Sequence, residues 1–258
     1  MPKTLSVICV YNNKQILESF LLESLKKQNI NYELILINNV NNEFTSAAKA
    51  LNYAATKATG DYLLFVHQDI FFYDSNILKD LLYYAQSKPN AIIGIAGTTE
   101  NNEVLTNILH DIPPRPAGKR IDGIHKVETV DECLFLIDRN IFNKIKFDEN
   151  SINGWHLYAV DYCLEAKKYG YPSYVIGIDN IYHRSPGFSF NNQYFLILKQ
   201  IIHKHRQIKY IYTTMGKWPT NTFKLNFKIN LKKIKSKIKM VLFQKVKIEK
   251  TRYKQTEK

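Results

Sequence analysis

The sequence predicts an α/β protein: a mostly parallel sheet with helices on both faces and a basic C-terminal extension. Three observations predict it. Short apolar runs alternate with segments of helical period across residues 4–97, as expected of parallel strands joined by crossover helices. The first three runs end in the polar clusters Tyr11-Asn12, Asn38-Asn39 and His67-Gln68-Asp69, which in such a sheet share the carboxyl edge, where open α/β folds bind ligands. The charge is also uneven. The chain carries +13, and thirteen Lys or Arg against Glu249 and Glu257 give +11 from Asn221 onward, leaving +2 for the first 220 residues.

Taken in order, Thr4 to Tyr11 reads as a strand broken by Asn12 and Asn13. Ile16, Leu17, Phe20, Leu21 and Leu25 then recur on one helical face. Glu33 to Ile37 is a second strand, and Phe44 to Ala58 a helix stopped by Gly60. Tyr62 to Val66 has the length and composition of a fully buried strand. Ile77 to Ser87 is a helix, Ala91 to Ala96 a strand, and Thr98 to Lys126 has no period. Glu128 to Ile137 reads as one strand carrying Asp131 and Glu132 in its middle, a position that also suits an exposed rim. Trp155 to Tyr169 is a helix, Tyr174 to Ile178 the last strand, and Asn191 to Tyr212 a long amphipathic helix. Phe223 to Leu231 alternates as a strand does, and from Leu231 the apolar spacing turns helical among lysines.

Several classes are excluded. No run of eighteen apolar residues exists, so no membrane-spanning helix is expected. The start Met-Pro-Lys has no signal-peptide pattern. Cys9, Cys133 and Cys163 form no Cys-x-x-Cys pair and read as buried free thiols of a cytoplasmic protein. Neither a Gly-x-Gly-x-x-Gly nor a phosphate-binding lysine loop is present.

The stretch Gly60 to Phe71 organises the rest. A buried strand there ends in an imidazole, an amide and a carboxylate, and Asp69 either caps the next segment or faces a ligand. Later, His183 stands before the turn-prone Arg184-Ser-Pro-Gly187.

Assembled, these residues resemble the family-2 glycosyltransferases of the GT-A (Rossmann-like) fold, over about residues 4 to 190. Val7-Ile-Cys-Val-Tyr-Asn12 is similar to the family's first strand. Ala47-Ala-Lys-Ala-Leu-Asn52 followed by Gly60-Asp-Tyr-Leu-Leu-Phe-Val-His-Gln-Asp69 resembles its helix and Asp-x-Asp strand, in a His-Gln-Asp variant. Val160-Asp-Tyr-Cys-Leu-Glu-Ala-Lys-Lys-Tyr-Gly-Tyr171 resembles its acidic helix, and Tyr182-His183 its late histidine. The departures are Asn38-Asn39 for a base-reading Asp pair, His67 for the first metal-motif Asp, and Tyr158-Ala159 for a Glu-Asp pair.

The resemblance implies a metal-dependent, inverting transfer of a sugar from a nucleotide diphosphate to a hydroxyl acceptor, in surface-polysaccharide or glycan assembly. Residues 1–97 would bind the nucleotide and 98–190 the acceptor, with a helical segment at 191–220 and a basic tail at 221–258. Asp69 and His183 would hold a divalent cation, and Tyr11, Asn38, Asn52, His67, Gln68 and Arg184 the donor. One carboxylate with one or two imidazoles suits Mn²⁺ better than Mg²⁺. Asp161 is the expected general base, with Asp131 and His156 on the acceptor side. A solvated-helix role for Asp161, a strand-end hydrogen bond for His183 and a plain surface turn at Arg184 are the competing readings. The basic tail reads as an interfacial helix on anionic lipid, which would place the protein on the inner face of the cytoplasmic membrane beside a lipid-linked acceptor. Nucleic acid is disfavoured because the tail lacks an RNA-binding signature. The rival to an enzyme is a non-catalytic relative that binds a nucleotide sugar or a partner enzyme.

Overall fold

The computed structural model describes residues 3–184 and 191–234. Its strands are β1 (Leu5–Tyr11), β2 (Glu33–Asn38), β3 (Tyr62–Val66), β4 (Ile70–Phe72), β5 (Ile92–Gly94), β6 (Ala96–Thr98), β7 (Val104–Thr106), β8 (Leu109–His110), β9 (Arg115–Pro116), β10 (Gly123–Val127), β11 (Thr129–Val130), β12 (Leu134–Asp138), β13 (Ser173–Gly177), β14 (Ile181–His183), β15 (Tyr210–Thr213) and β16 (Gly216–Pro219). The helices are α1 (Lys14–Leu17), a π-helical turn Glu18–Leu22, α2 (Glu23–Leu25), α3 (Ala47–Lys57), α4 (Ile77–Ser87), α5 (Arg139–Lys144), α6 (Tyr158–Lys168) and α7 (Asn192–Lys204). Residues 222–234 are also helical.

The main sheet has seven strands in the order β10-β13-β5-β12-β3-β1-β2. β12 and β10 run antiparallel to their neighbours, while the β1–β2, β1–β3 and β5–β13 pairs are parallel. Central β3 is buried along its whole length. Its alternate residues feed two cores: Leu63 and Phe65 join the layer of α3 and α6, whereas Tyr62, Leu64 and Val66 join the layer of α4 and Leu17, Leu21 and Leu25. Ser46 caps α3 by accepting from the Lys49 N–H. Alanines 47, 48, 54 and 55 face inward, so this helix lies close to the sheet. Gly60 is needed before β3, because a Cβ there would come within 2.6 Å of Ser6 Oγ. The register aligns Tyr11 with Asn38 and Ile8 with Phe65, so all three strands release their next residues at one edge.

The chain forms two compact units, Met1–His205 with Tyr212–Lys217, and Arg206–Ile211 with Trp218–Lys258. Among the described residues no helix is long and apolar enough to cross a membrane. Cys9, Cys133 and Cys163 are all buried and free.

Four sequence expectations are corrected. The 128–137 strand is two strands, with Asp131 and Glu132 in the turn between them, which explains two acids inside an apolar run. The Ala91–Ala96 run is split between two sheets, β5 and β6. The helix expected to reach Tyr212 ends at Lys204, and Tyr210–Thr213 is a strand. The alternating run from Phe223 is helical, with only Leu225 and Ile229 of its apolar residues buried. In this run helix-compatible spacing outcompeted a two-residue period with no partner strand. Residues 185–190, which include most of the turn-prone Arg184–Gly187 segment, and 235–258 of the basic tail lie outside the described residues.

Candidate functional site

At the shared carboxyl edge lies a cleft of about 300 Å³, lined by Tyr11, Asn12, Asn39, Asn42, Leu51, His67, Gln68, Asp69, Trp155 and Tyr158 among others. Gln68 holds its rim together. Its Oε1 accepts from the backbone N–H groups of Asn12 (3.1 Å) and Asn13 (2.9 Å), and its Nε2 donates to Asn12 Oδ1 at 2.7 Å. The expected donor-binding glutamine thus latches the end of β1 to the end of β3.

His183 reaches this edge by strand pairing. β14 runs antiparallel to β4 with His183 opposite Ile70, and the Arg184 N–H donates to the Asp69 carbonyl at 3.0 Å. His183 Nε2 then lies 3.4 Å from Asp69 Oδ1, and the His67 and His183 rings stand 5.5 Å apart. One ligand atom from each of His67, Asp69 and His183 lies within 4.8 Å of the others.

Electrostatics fit this grouping. Burial opposes ionisation of Asp69, but the His183 hydrogen bond and the His183 and His67 charges outweigh it and hold the carboxyl at about 2. Burial works against a charged His183, yet Asp69 raises its pKa. His67 is pushed down, chiefly by burial. The Tyr158 hydroxyl donates to the Glu132 carbonyl (3.3 Å), which leaves its oxygen to accept from His67 Nε2–H (3.0 Å). A neutral His67 of that tautomer has its Nδ1 lone pair free. A carboxylate, two imidazoles and an outer hydroxyl that fixes a tautomer make a donor set that fits a first-row divalent cation.

Beside the cluster, the β11–β12 turn carries two acids. Asp131 Oδ2 accepts from Thr214 Oγ1 at 2.6 Å, and its charge acts on His67 and His183. Glu132 Oε1 accepts from the Leu157 N–H at 3.0 Å, at the start of α6, where Leu157 is left-handed with φ 59°. The Glu132 carboxylate also takes a hydrogen bond from its own backbone N–H. Burial first, then the charge of Asp131, raises the Glu132 pKa to about 8.

The remaining expected residues fall elsewhere. Asp161 does not line the cleft. It is 3 % exposed, with His205 Nε2 2.8 Å from Oδ1 and Lys204 Nζ 2.8 Å from Oδ2. Lys204 also binds Asp148 at 2.9 Å, so Asp161 ties α6 to α7 and has no oxygen left for a substrate. Asn38 accepts from the Val40 N–H and is exposed, while its buried neighbour Asn39 lines the cleft. Asn52 bonds the Phe147 backbone and Glu149, away from the cleft. Arg184 lays its guanidinium over Phe20, 5.3 Å from the ring centroid. His156 is 3.4 Å from Asn191 Nδ2 and packs against Tyr194. Trp155, Tyr158, Asn42 and Glu132 were not among the expected site residues. The Trp155-His156 pair just before a helix start was the one available signal.

Residues 6–110 match a family described as "Glycosyltransferase like family". That stretch is similar to the family, and the fold of the chain is of the GT-A type. Among solved structures, the GT-A domain is similar to TarS 1-349 of S. aureus (TM-score 0.54, 16 % identity, 78 % of this chain and 65 % of that one). It is also similar to the mannosyltransferase PcManGT of Pyrobaculum calidifontis in complex with GDP-Man and Mn²⁺ (TM-score 0.57, 12 % identity, 81 % and 65 %). GalNAc-T7 with UDP, GalNAc and Mn²⁺ aligns with TM-score 0.57 at 13 % identity, over 78 % of this chain and 47 % of that one. A protein of Fuscovulum blasticum, "ATP synthase subunits region ORF 6", is 26 % identical over 128 residues, 46 % of this chain and 50 % of its own length. The chain thus spans half of that relative and less than two thirds of these structural neighbours.

Proposed function

We propose that the protein transfers a sugar from a nucleotide diphosphate donor to a hydroxyl acceptor, using a divalent cation. The observation that carries this reading is the His67–Asp69–His183 cluster at the mouth of the cleft, in a fold whose relatives include structures holding GDP-Man or UDP with Mn²⁺. Asp69, His183 and His67 Nδ1 would hold the cation. When bound, it would offset the charge of the departing diphosphate. Two imidazoles with one carboxylate favour Mn²⁺ over Mg²⁺.

The chain's own residues do the rest. Tyr11, Asn39 and Asn42 line the donor end of the cleft, and Gln68 holds the β1 and β3 ends in register. The Arg184 backbone lies beside Asp69, and its guanidinium, which lies over Phe20, would have to swing towards the cleft to add positive charge for phosphate. The ion pairs of Asp161 with Lys204 and His205 support placing the base in the β11–β12 turn instead. Glu132 would take the acceptor proton. Its raised pKa makes its ionised form a stronger base than an ordinary carboxylate, so it would act in the fraction that is deprotonated as pH rises towards 8. Asp131 and His156 would position the acceptor. A single base without a paired nucleophile corresponds to one displacement with inversion. The acceptor would be a glycan or a lipid-linked hydroxyl compound of cell-surface assembly, reached from the cytoplasmic side of the membrane.

One observation favours a second, binding-only reading: α6 offers no acid to the cleft, since Tyr158 and Ala159 occupy its first turn and Asp161 is ion-paired. Incubating the protein with a panel of nucleotide sugars and Mn²⁺ separates the two. Release of nucleoside diphosphate supports transfer. Thermal stabilisation by a nucleotide sugar with no release at any acceptor or metal concentration supports binding alone.

A further inference from the structure

Helix 222–234 has two apolar faces. Leu225 and Ile229 are 2 % and 5 % exposed and form the inward face. Phe223, Phe227, Leu231 and Ile234 are 81 %, 62 %, 42 % and 53 % exposed. At about 100° per residue these four fall within a sector of about 80°. They are therefore one continuous stripe, and the inward face already anchors the helix without them.

The charges around the stripe say what covers it. Residues 221–234 contain Lys224, Lys228, Lys232 and Lys233 and no Asp or Glu. Lys224 borders the stripe beside Phe223, whereas Lys228 and Lys232 are half-buried towards the inward face, where Lys228 Nζ lies 5.3 Å from the Trp218 ring centroid. Asn226 and Asn230 border the other edge. An exposed apolar stripe on a helix that carries lysines and no acid is what a helix lying in a bilayer interface presents. An anionic headgroup layer complements this net positive charge at any register. Sequence beyond Ile234 adds nine further Lys or Arg against two Glu.

We propose that the Phe223–Phe227–Leu231–Ile234 face of this helix docks on an anionic lipid bilayer. The proposal does not depend on sugar transfer, since it concerns binding without donor or acceptor.

The test is co-sedimentation of the full-length chain with vesicles of phosphatidylcholine alone or mixed with phosphatidylglycerol. Binding is expected only with the anionic vesicles, weakening as salt rises. Phe223→Glu with Phe227→Glu should lower it by about ten-fold or more, and Lys224→Glu by a smaller factor. Both substitutions are on exposed positions, and an unchanged melting temperature confirms that each variant is folded. Leu231→Ser provides a milder second variant with the same expected direction. Equal binding to both vesicle types, no binding to either, or full binding by the folded double Phe variant would overturn the proposal. So would a dimer in size-exclusion chromatography that the double variant abolishes, which would assign the stripe to self-association.

Discussion

Two carboxylate–imidazole pairs lie in the same unit and have opposite fates. Asp69 pairs with His183 at 3.4 Å and faces a cleft, and Asp161 pairs with His205 at 2.8 Å and is enclosed. The second pair is the tighter, and Lys204 completes it. Each Asp161 oxygen already has a cationic or imidazole partner, so the group has no capacity left for a ligand. Asp69 has a longer contact, a second imidazole nearby, and a cavity in front of it. The difference teaches that a carboxylate beside a histidine becomes a site only where donor capacity remains and is pointed at open volume. Packing decides that, and residue type does not.

The largest effect should come from Asp69→Ala. Turnover should fall by about 10³-fold or more while the melting temperature holds, because one cation ligand is lost from a partly open site. Residual turnover near wild type would erase the contrast between the pairs. Glu132→Gln comes next, with an expected loss of about 10²–10⁴ in turnover and little change in donor affinity measured by calorimetry.

Asp161→Ala should act on the other quantity. It strands His205 in a buried setting and leaves Lys204 with Asp148, and a destabilisation of about 3–5 kcal/mol by urea denaturation is expected. The variant protein that remains folded should retain donor affinity. A folded, stable Asp161→Ala protein that binds donor but has no turnover would return the base to α6.

Smaller effects concern pH. Glu132 has its folded pKa raised from 4.5 to about 8, so the folded state holds a proton that the unfolded chain releases. Stability from this group is full below 4.5 and declines as pH rises towards 8. Thermal melts of Glu132→Gln should lack that part of the decline. Asp148 is displaced the other way: burial opposes its ionisation, but the Lys204 hydrogen bond and two backbone N–H groups prevail and hold it far below 3.8. Its contribution is present above 3.8 and is lost in acid, so Asp148→Asn should flatten the acid limb of the melting curve.

Much of the fold was legible. Helix Ile77–Ser87 and strand Tyr62–Val66 were read to the residue, and the helix read over Phe44–Ala58 is α3, which starts three residues later at Ala47. Long amphipathic segments and an uninterrupted buried strand state their period in one dimension. The cluster was partly legible too. Asp69 stood out because a polar triplet closes an apolar run, while His183 needed the resemblance to bring it forward. The misreadings share a cause. Asp161 had the residue type of a base, but its two partners lie more than forty positions away on another helix. Glu132 looked like a strand residue because the short turn at 131–133 is flanked directly by the apolar residues of the two strands it joins. Asn38 and Asn39 are alike in sequence, and only the backbone direction after β2 puts the second one in the cleft.

What the sequence by itself determined is the order of elements and the edge at which their polar ends collect, since alternation of period sets the connections and parallel strands share one direction. What only the tertiary structure decided is which charged groups are already satisfied. A hydrogen-bond or ion-pair partner is chosen by three-dimensional proximity, which encloses Asp161 and leaves Asp69 facing the cleft.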